Sequence, residues 1–166
     1  MLEFFPQHKT STRKWTEVKF SKYKGKTLPQ IVLMDPDWFF WAIEKGVFKT
    51  GALKAEAKEI WKKARHIRIP KSDATNWKVE YTRYPGSGKL TDVSVVPASH
   101  PRHFGSSETV RSDHFDLSTP WQFADYDKMG SRIMVGAIKS YVFGNSEVRM
   151  TRNRCERFFN DDSNFT

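Results

Sequence analysis

The segment from Val18 to Gly46 reads Val-Lys-Phe-Ser-Lys-Tyr-Lys-Gly-Lys-Thr-Leu-Pro-Gln-Ile-Val-Leu-Met-Asp-Pro-Asp-Trp-Phe-Phe-Trp-Ala-Ile-Glu-Lys-Gly, and it decides how the N-terminal half of the chain folds. We name residues 18–26 the lysine turn. An unpaired buried charge loses its hydration, so lysines this dense are expected on a surface that faces solvent or a ligand. Gly25 allows the positive φ that a tight turn needs. The lysines of the turn are Lys19, Lys22, Lys24 and Lys26, and they surround Tyr23.

The residues on either side of the lysine turn carry a strand signal and a helix signal. Alternation of apolar and polar side chains over residues 15–20 predicts a strand that turns Val18 and Phe20 inward. Residues 27–34 are predicted to form a short helix with Thr27 at its N-cap and a proline in its first turn.

Two further helices follow in the N-terminal half. Asp35 and Pro36 form a cap and first-turn pair, which predicts a helix over residues 36–45 that stops at Gly46. Residues 52–65 show apolar side chains at helical spacing, which predicts a third helix with one buried stripe. The predicted stripe consists of Leu53, Ala57, Ile60, Trp61 and Ala64.

This part of the sequence resembles a known family, the C-terminal module of exodeoxyribonuclease X. The residues that carry the resemblance are Phe20-Ser-Lys-Tyr-Lys-Gly-Lys-Thr-Leu, Asp35-Pro-Asp-Trp and Trp41. The family pattern has Phe-Gly-Lys-Tyr-Lys-Gly-Lys and then Asp-Pro-x-Tyr-Leu-x-Trp, so Ser21 stands in place of a glycine and Trp38 in place of a tyrosine. The resemblance covers about residues 14–70. It implies an accessory module of phage or bacterial DNA-processing proteins that contacts nucleic acid and carries no nuclease chemistry.

The C-terminal half changes its pattern after a polar, turn-rich stretch over residues 70–75, which predicts a linker. Beyond it, apolar residues first recur at every second position, as in strands, and later about every 3.6 positions, as in helices. The sequence predicts a β-hairpin formed by residues 77–83 and 91–96, a third strand over 109–117, and two helices over 131–143 and 147–159.

The predicted fold class is therefore α+β, in two parts. Residues 14–70 are expected to form a small helical module with a short strand and the basic turn. Residues 76–160 are expected to form an antiparallel hairpin or three-stranded sheet covered by two helices. Residues 1–13 are predicted to be a loose basic arm, and residues 161–166 a frayed tail.

Charge and composition narrow the classes of function. The 166 residues carry a net charge of +9, and residues 1–74 contribute +8 of it. A basic domain of this kind is the usual footprint of nucleic-acid binding, although lysine-rich helices are also common solvated faces. Cys155 is the only cysteine, so neither an internal disulfide nor a thiolate metal cluster is expected. No cofactor, signal peptide or membrane contact is predicted, which favours a soluble cytoplasmic protein.

The predicted function is non-catalytic nucleic-acid binding, with DNA favoured over RNA and a link to DNA processing. Lysines would meet phosphates as point charges, and the single tyrosine of the turn would stack on an unpaired base or brace the turn. Trp38 and Trp41 present the same choice between a binding platform and core packing. The predicted contact residues are Lys19, Lys22, Tyr23, Lys24, Lys26, Lys58 and Lys62.

Three other interpretations remain open at this point. The basic surface could serve a protein-interaction module, such as an inhibitor or adaptor with an acidic partner. A metal-dependent nuclease is a second alternative, with a metal held by side chains among His100, His103, Asp113, His114 and Asp116. The arginine-bearing second helix of the pair over 131–143 and 147–159 is compatible with a helix-turn-helix. A helical hairpin that closes the β-hairpin is favoured instead, because the arginines of that helix do not share one face. A phosphate-binding P-loop is excluded because Phe20 stands where that motif needs its first glycine.

Overall fold

The computed structural model describes residues 13–49, 51–70 and 74–166, in which helices accompany small antiparallel sheets. The predicted α+β class is confirmed. The helices are α1 (Leu28–Met34), α2 (Pro36–Glu44), α3 (Gly51–Ala64), α4 (Thr119–Phe123), α5 (Lys128–Ala137) and α6 (Arg152–Asn160). The strands are β1 (Ile67–Arg68), β2 (Trp77–Arg83), β3 (Leu90–Pro97), β4 (Glu108–Ser112) and β5 (His114–Phe115).

The strands form two antiparallel sheets. The larger one has the order β3-β2-β4, and β2 and β3 are the predicted hairpin. The predicted third strand over 109–117 is broken at Asp113 into β4 and β5, and β5 leaves the large sheet to pair with β1. Helix α5 packs against β3 and covers the hairpin, whereas α6, the second helix that was predicted to cover the sheet, packs on α1.

The helices of the N-terminal half lie close to their predicted bounds. Asp35 caps α2, accepting a hydrogen bond from the Trp38 backbone amide at 3.2 Å, and Gly46 has a φ of 64° just beyond the end of the helix. Thr27 occupies the N-cap position of α1, but its hydroxyl makes no capping hydrogen bond. The start of α2 is therefore set by Asp35 and Pro36, and its end by Gly46, as the sequence predicted.

The strand predicted over residues 15–20 is wrong. These residues form a single isolated bridge, between Glu17 and Thr27, and Trp15 and Val18 are buried while Phe20 is 38% exposed. The two buried residues, Trp15 and Val18, are thus three positions apart, whereas a strand would bury every second residue. Trp15 is directed inward because its indole N–H donates to the Asn160 side chain at 2.9 Å.

The buried stripe of α3 differs from its prediction at three positions, and one of them, Leu53, is only half-buried. Trp61 lies at the surface, whereas Glu56 is buried and accepts a hydrogen bond from the Thr16 amide at 3.0 Å. A buried carboxylate is tolerated when it accepts hydrogen bonds. Here the bond from Thr16 to Glu56 connects the segment before the lysine turn to α3. Ala57, Ile60 and Ala64 lie in the core as predicted.

The C-terminal helices also depart from their predicted bounds. α5 ends at Ala137 and continues as a π turn over Ile138–Val142. α6 begins only at Arg152, where the Thr151 hydroxyl caps it at 3.3 Å. Residues 143–151 separate the two helical segments, so their connection is longer than the three-residue Gly-Asn-Ser turn on which the helix-turn-helix interpretation depends.

One cluster of buried side chains joins the two predicted parts of the chain, running from Val18 and Phe39 to Val79, Phe115 and Phe159. α1 packs on α6, and α2 on α4 and α5. The boundaries of the two parts stay a prediction. Residues 1–12 of the predicted arm and residues 71–73 of the predicted linker lie outside the described residues.

The tail beyond α6 is not frayed, contrary to the prediction. Phe165 is 9% exposed, stacks on Phe159 with ring centroids 5.3 Å apart, and forms a backbone bridge with Ile67. Lys63 donates to the Phe159 carbonyl and to Asp162, both at 2.9 Å. Burial of the Phe165 ring against these partners therefore orders the tail, although most of the residues around it are polar.

We expect Phe165→Ala to lower the free energy of unfolding by about 3 kcal/mol, because it removes a buried ring from the core. Phe104→Ala is the matched control, since Phe104 is 94% exposed, and its effect is expected within about 0.5 kcal/mol. Urea unfolding followed by tryptophan fluorescence measures both. Equal effects of the two substitutions would show that the tail does not belong to the core.

Candidate functional site

The backbone of the lysine turn closes on itself. The Val18 amide donates to the Lys26 carbonyl and the Gly25 amide to the Val18 carbonyl, each at 2.8 Å. A further bond runs from the Lys26 amide to the Tyr23 carbonyl at 3.0 Å. These bonds fix a compact loop, so its side chains are displayed from a defined base.

Two residues of the turn have positive φ angles, Gly25 at 86° and Ser21 at 65°. Gly25 was expected there. A non-glycine residue in this region carries strain, which the Ser21 hydroxyl offsets in part by accepting a hydrogen bond from the Tyr23 amide at 3.1 Å. Ser21 is also the position at which the resembled family has glycine, and a glycine would adopt this φ without strain.

Tyr23 is buried at 8% exposure, and its ring meets Trp38 edge to face with centroids 4.9 Å apart. Its hydroxyl donates to the Asp35 carboxylate. Burial, together with that carboxylate, raises the pKa of Tyr23 well above its usual value. Of the two predicted roles, the structure therefore supports bracing of the turn, since a side chain that is only 8% exposed offers little surface to a stacked base.

Asp35 links the turn to the aromatic helix. It accepts from the Tyr23 hydroxyl and from the Trp38 amide, and the Lys22 ammonium lies 3.4 Å from it. Lys22 also lies 5.1 Å from the centre of the Tyr23 ring. One carboxylate thus holds the lysine turn at a fixed position against α2.

The lysines of the turn are available to a ligand to different degrees. Lys19, Lys22 and Lys24 are exposed, and Lys26 is half-buried. Within the part of the chain that the structure describes, only Lys22 of these four has an ion pair. The turn therefore presents cations whose charge is largely uncompensated.

Lys58 and Lys62 are exposed on α3, as predicted. No hydrogen bond or ion pair among the described residues connects either of them to the lysine turn. The neighbouring Lys63 turns instead toward Glu59 at 3.2 Å and the C-terminal tail.

A cleft of about 520 Å³ opens beside the lysine turn, between α2 and the start of α5; we name it the aromatic cleft. Trp38 and Trp41 are half-buried along it, with ring centroids 6.3 Å apart, so they serve the core and also line an accessible surface. The other residues that line the cleft are Lys22, Tyr23, Met34, Asp35, Asp37, Trp121, Tyr126, Lys128, Ser131 and Arg132.

The sequence did not predict that residues of the C-terminal half, among them Trp121 and Tyr126, line this cleft. Trp121 lies on α4, a helix that was not predicted, and its indole N–H donates to Glu44 at the end of α2 at 2.9 Å. Tyr126 precedes α5 and is 74% exposed. The available signal was the dense aromatic and charged stretch Trp121-Gln-Phe-Ala-Asp-Tyr-Asp-Lys, for which no placement was predicted.

Asp37 lines the cleft, but both of its carboxylate oxygens are closed off from solvent and have no hydrogen bond of ordinary geometry. Burial is the main cause that raises the pKa of Asp37 to about 7, and the nearby carboxylates of Asp35 and Asp127 add to it. The backbone amide of Asp127 opposes this shift. Asp127 itself caps α5 and accepts from the Leu90 amide at 2.9 Å.

The histidine and aspartate residues proposed as metal ligands have other partners. His114 stacks on His66 with centroids 4.9 Å apart, and Asp113 pairs with Lys78. Asp116 accepts from the Ser118 amide at 2.9 Å. Burial and the charge of His66 lower the pKa of His114.

His100 and His103 are exposed in the loop between β3 and β4. Across residues 13–49, 51–70 and 74–166, no three His, Cys, Asp or Glu side chains form a group that could hold a metal ion. The five weak candidates are thus not brought together into a metal site.

None of the described helices is long and apolar enough to cross a membrane. Comparison of the chain with protein-family models, with curated proteins and with solved structures finds no match. The likeness to the exodeoxyribonuclease X module therefore rests on the quoted motif residues alone.

We expect Tyr23→Phe to lower the free energy of unfolding by about 1–2 kcal/mol, because Asp35 loses a buried donor while the ring packing is kept. Tyr84→Phe is the matched control, since Tyr84 is 56% exposed, and it should leave stability unchanged. Chemical denaturation measures the difference. A neutral Tyr23→Phe substitution would contradict the role assigned to this hydroxyl.

Asp37 should make stability depend on pH. Its pKa is about 7 in the folded state and about 3.8 when unperturbed, so the folded protein retains a proton that the unfolded chain loses. Stability should therefore fall as pH rises from about 4 to about 7. Asp37→Asn removes this titration, so its stability relative to wild type should increase over that range and level off above it.

Denaturation midpoints at a series of pH values test this expectation. Asp92→Asn serves as a control for the loss of a carboxylate, since Asp92 is exposed on β3. If the difference between wild type and Asp37→Asn stayed constant from pH 4 to pH 8, the pKa assignment would be wrong.

Proposed function

We propose that this protein binds nucleic acid without catalysing a reaction on it, that DNA is its preferred partner, and that it acts with a DNA-processing system of phage or bacterial type. The observation that carries the proposal is the lysine turn, a closed loop that displays Lys19, Lys22 and Lys24 from a base anchored through Asp35. Only Lys22 of these lysines has an ion pair among the described residues. A cluster of lysines that keeps most of its charge attracts phosphates from a distance.

Two further facts support the same proposal. The net charge of +9 is concentrated in the half that contains the turn. The resembled family is an accessory module of DNA-processing proteins, and Ser21 takes the φ angle that the glycine of its pattern would favour. Because Tyr23 is buried, the turn itself would contact the backbone phosphates and leave the bases to other residues.

An acidic protein is the second candidate partner, since its carboxylates would be attracted by the same lysines. The clustering of exposed cations that favours nucleic acid favours this partner as well. The two candidates differ in salt dependence, because only a polyanion with condensed counterions gives a steep linear slope of log affinity against log salt. A metal-dependent nuclease is not proposed, because its candidate ligands are engaged elsewhere or exposed in a loop.

We expect the Lys22/Lys24/Lys26→Ala triple variant to bind labelled DNA more weakly than the wild type and with a shallower salt slope. Each lost phosphate contact reduces the slope by roughly one unit, so a reduction of up to about three is expected. Fluorescence anisotropy with single- and double-stranded DNA and RNA at several salt concentrations measures both quantities.

The matched control removes three exposed cations outside the turn, as Lys89/Arg102/Arg149→Ala. This variant has the same net charge as the triple lysine variant, so it separates a local contact from a general loss of charge. Equal binding by the wild type and the lysine variant, or no binding by either, would refute the proposal. A pull-down with acidic proteins would then test the second candidate.

A further inference from the structure

We propose that the aromatic cleft receives one unpaired nucleobase, so that the protein engages single-stranded nucleic acid in preference to a duplex. This inference rests on the proposed function and specifies which form of nucleic acid the site takes. The lysine turn lies at the edge of the cleft, because Lys22 and Tyr23 belong to both. A strand whose phosphates run along the turn therefore passes the mouth of the cleft.

The size and lining of the cleft suit a flat aromatic group. A volume of about 520 Å³ is within the usual range for small-ligand sites and exceeds the size of one base. Trp38 and Trp41 of α2 line one side, and Trp121 and Tyr126 of the C-terminal half line the other. Stacking on such side chains is the usual way in which proteins bind bases without reading their sequence.

Tyr126 is the most unusual residue of this wall. It combines 74% exposure with a φ of 55°, a left-handed conformation that large side chains rarely adopt. Its ring lies edge to face with Trp121, with centroids 6.3 Å apart. The following residue, Asp127, is anchored by hydrogen bonds from the amides of Leu90 and Gly130, so the strained position of Tyr126 is held by the surrounding structure.

The charges around the cleft select an anionic occupant. Lys22, Lys128 and Arg132 line it, and the last two are exposed and have no ion pair within the described ranges. A nucleotide combines the required parts, since it carries a planar apolar face and an adjacent phosphate. A paired base in a duplex exposes no such face, so the cleft discriminates in favour of a single strand.

Two carboxylates, Asp35 and Asp37, also line the cleft, but neither is available to bind a cationic ligand. Asp35 already interacts with Tyr23, Trp38 and Lys22. The Asp37 oxygens are closed off from solvent. An ammonium or guanidinium ligand would therefore find aromatic faces but no free carboxylate, and it would meet the repulsion of the three cations.

The test uses the full chain and three labelled DNA probes of about a dozen nucleotides, which is within the site size of single-strand binders. The probes are a single strand, a blunt duplex of the same sequence, and a strand of equal length in which every base is absent. The last probe keeps the phosphates and removes all stacking. Three of the six tryptophans, Trp38, Trp41 and Trp121, line the cleft. Quenching of tryptophan fluorescence therefore reports occupation of the cleft where Tyr126→Ala abolishes it and Tyr84→Ala does not.

We expect the wild type to bind the single strand about ten-fold or more tightly than the duplex or the abasic strand, with tryptophan quenching only for the single strand. Tyr126→Ala should lose about ten-fold in affinity for the single strand, in line with one stacked base, and should bind the abasic strand as the wild type does. Tyr84→Ala is the matched control, because it removes another exposed tyrosine that lies outside the cleft.

The outcomes separate this inference from the proposed function. If all three probes bind equally, with a salt slope that depends on the lysine turn, the protein binds nucleic acid and the base-receiving cleft is refuted. Equal losses in Tyr126→Ala and Tyr84→Ala would refute it as well. If no probe binds, both proposals fail, and quenching by an acidic peptide would then assign the cleft to a protein partner.

Discussion

The carboxylate of Asp35 is the interaction on which the candidate site depends. It begins α2 through the Trp38 amide, receives the buried Tyr23 hydroxyl and pairs with Lys22. An ionised carboxylate has two oxygens and accepts several donors at once, so one short side chain can connect elements that are separate in the chain. The cationic turn is therefore held against the aromatic helix through one side chain.

The same use of carboxylates explains why the surface is more basic than the net charge suggests. Several acids are directed inward: Glu56 receives the Thr16 amide, Glu80 pairs with Arg111 at 2.7 Å, and Asp127 receives the amides of Leu90 and Gly130. Buried acids are tolerated because they accept these bonds. Most lysines of the N-terminal half remain outside, since an ammonium group keeps its hydration only at the surface. The result is a protein with buried acidic side chains that anchor the fold and a lysine turn in which only Lys22 has an ion pair among the described residues.

Elements with a strong local signal were predicted well, and elements decided by distant partners were not. The Asp35-Pro36 start of α2 and the hairpin of β2 and β3 follow from capping and alternation. The strand prediction over residues 15–20 was wrong, because Trp15 is buried and donates a hydrogen bond to Asn160, a residue 145 positions away. The tail was misjudged for a similar reason, since Phe165 is buried through contacts with β1 and α6 that no local pattern reveals.

The sequence by itself determined the fold class, the tight turn at Gly25, the caps of the second helix and the concentration of positive charge in residues 1–74. These properties depend on neighbouring residues or on composition, so they can be read from the chain directly. Only the tertiary structure decided that Tyr23 is a buried brace and that Trp38 and Trp41 share a cleft with Trp121, Tyr126 and Arg132. About 80 residues separate the two walls, and their meeting depends on how α2 packs on α4 and α5, a result of side-chain packing in three dimensions that local periodicity does not encode.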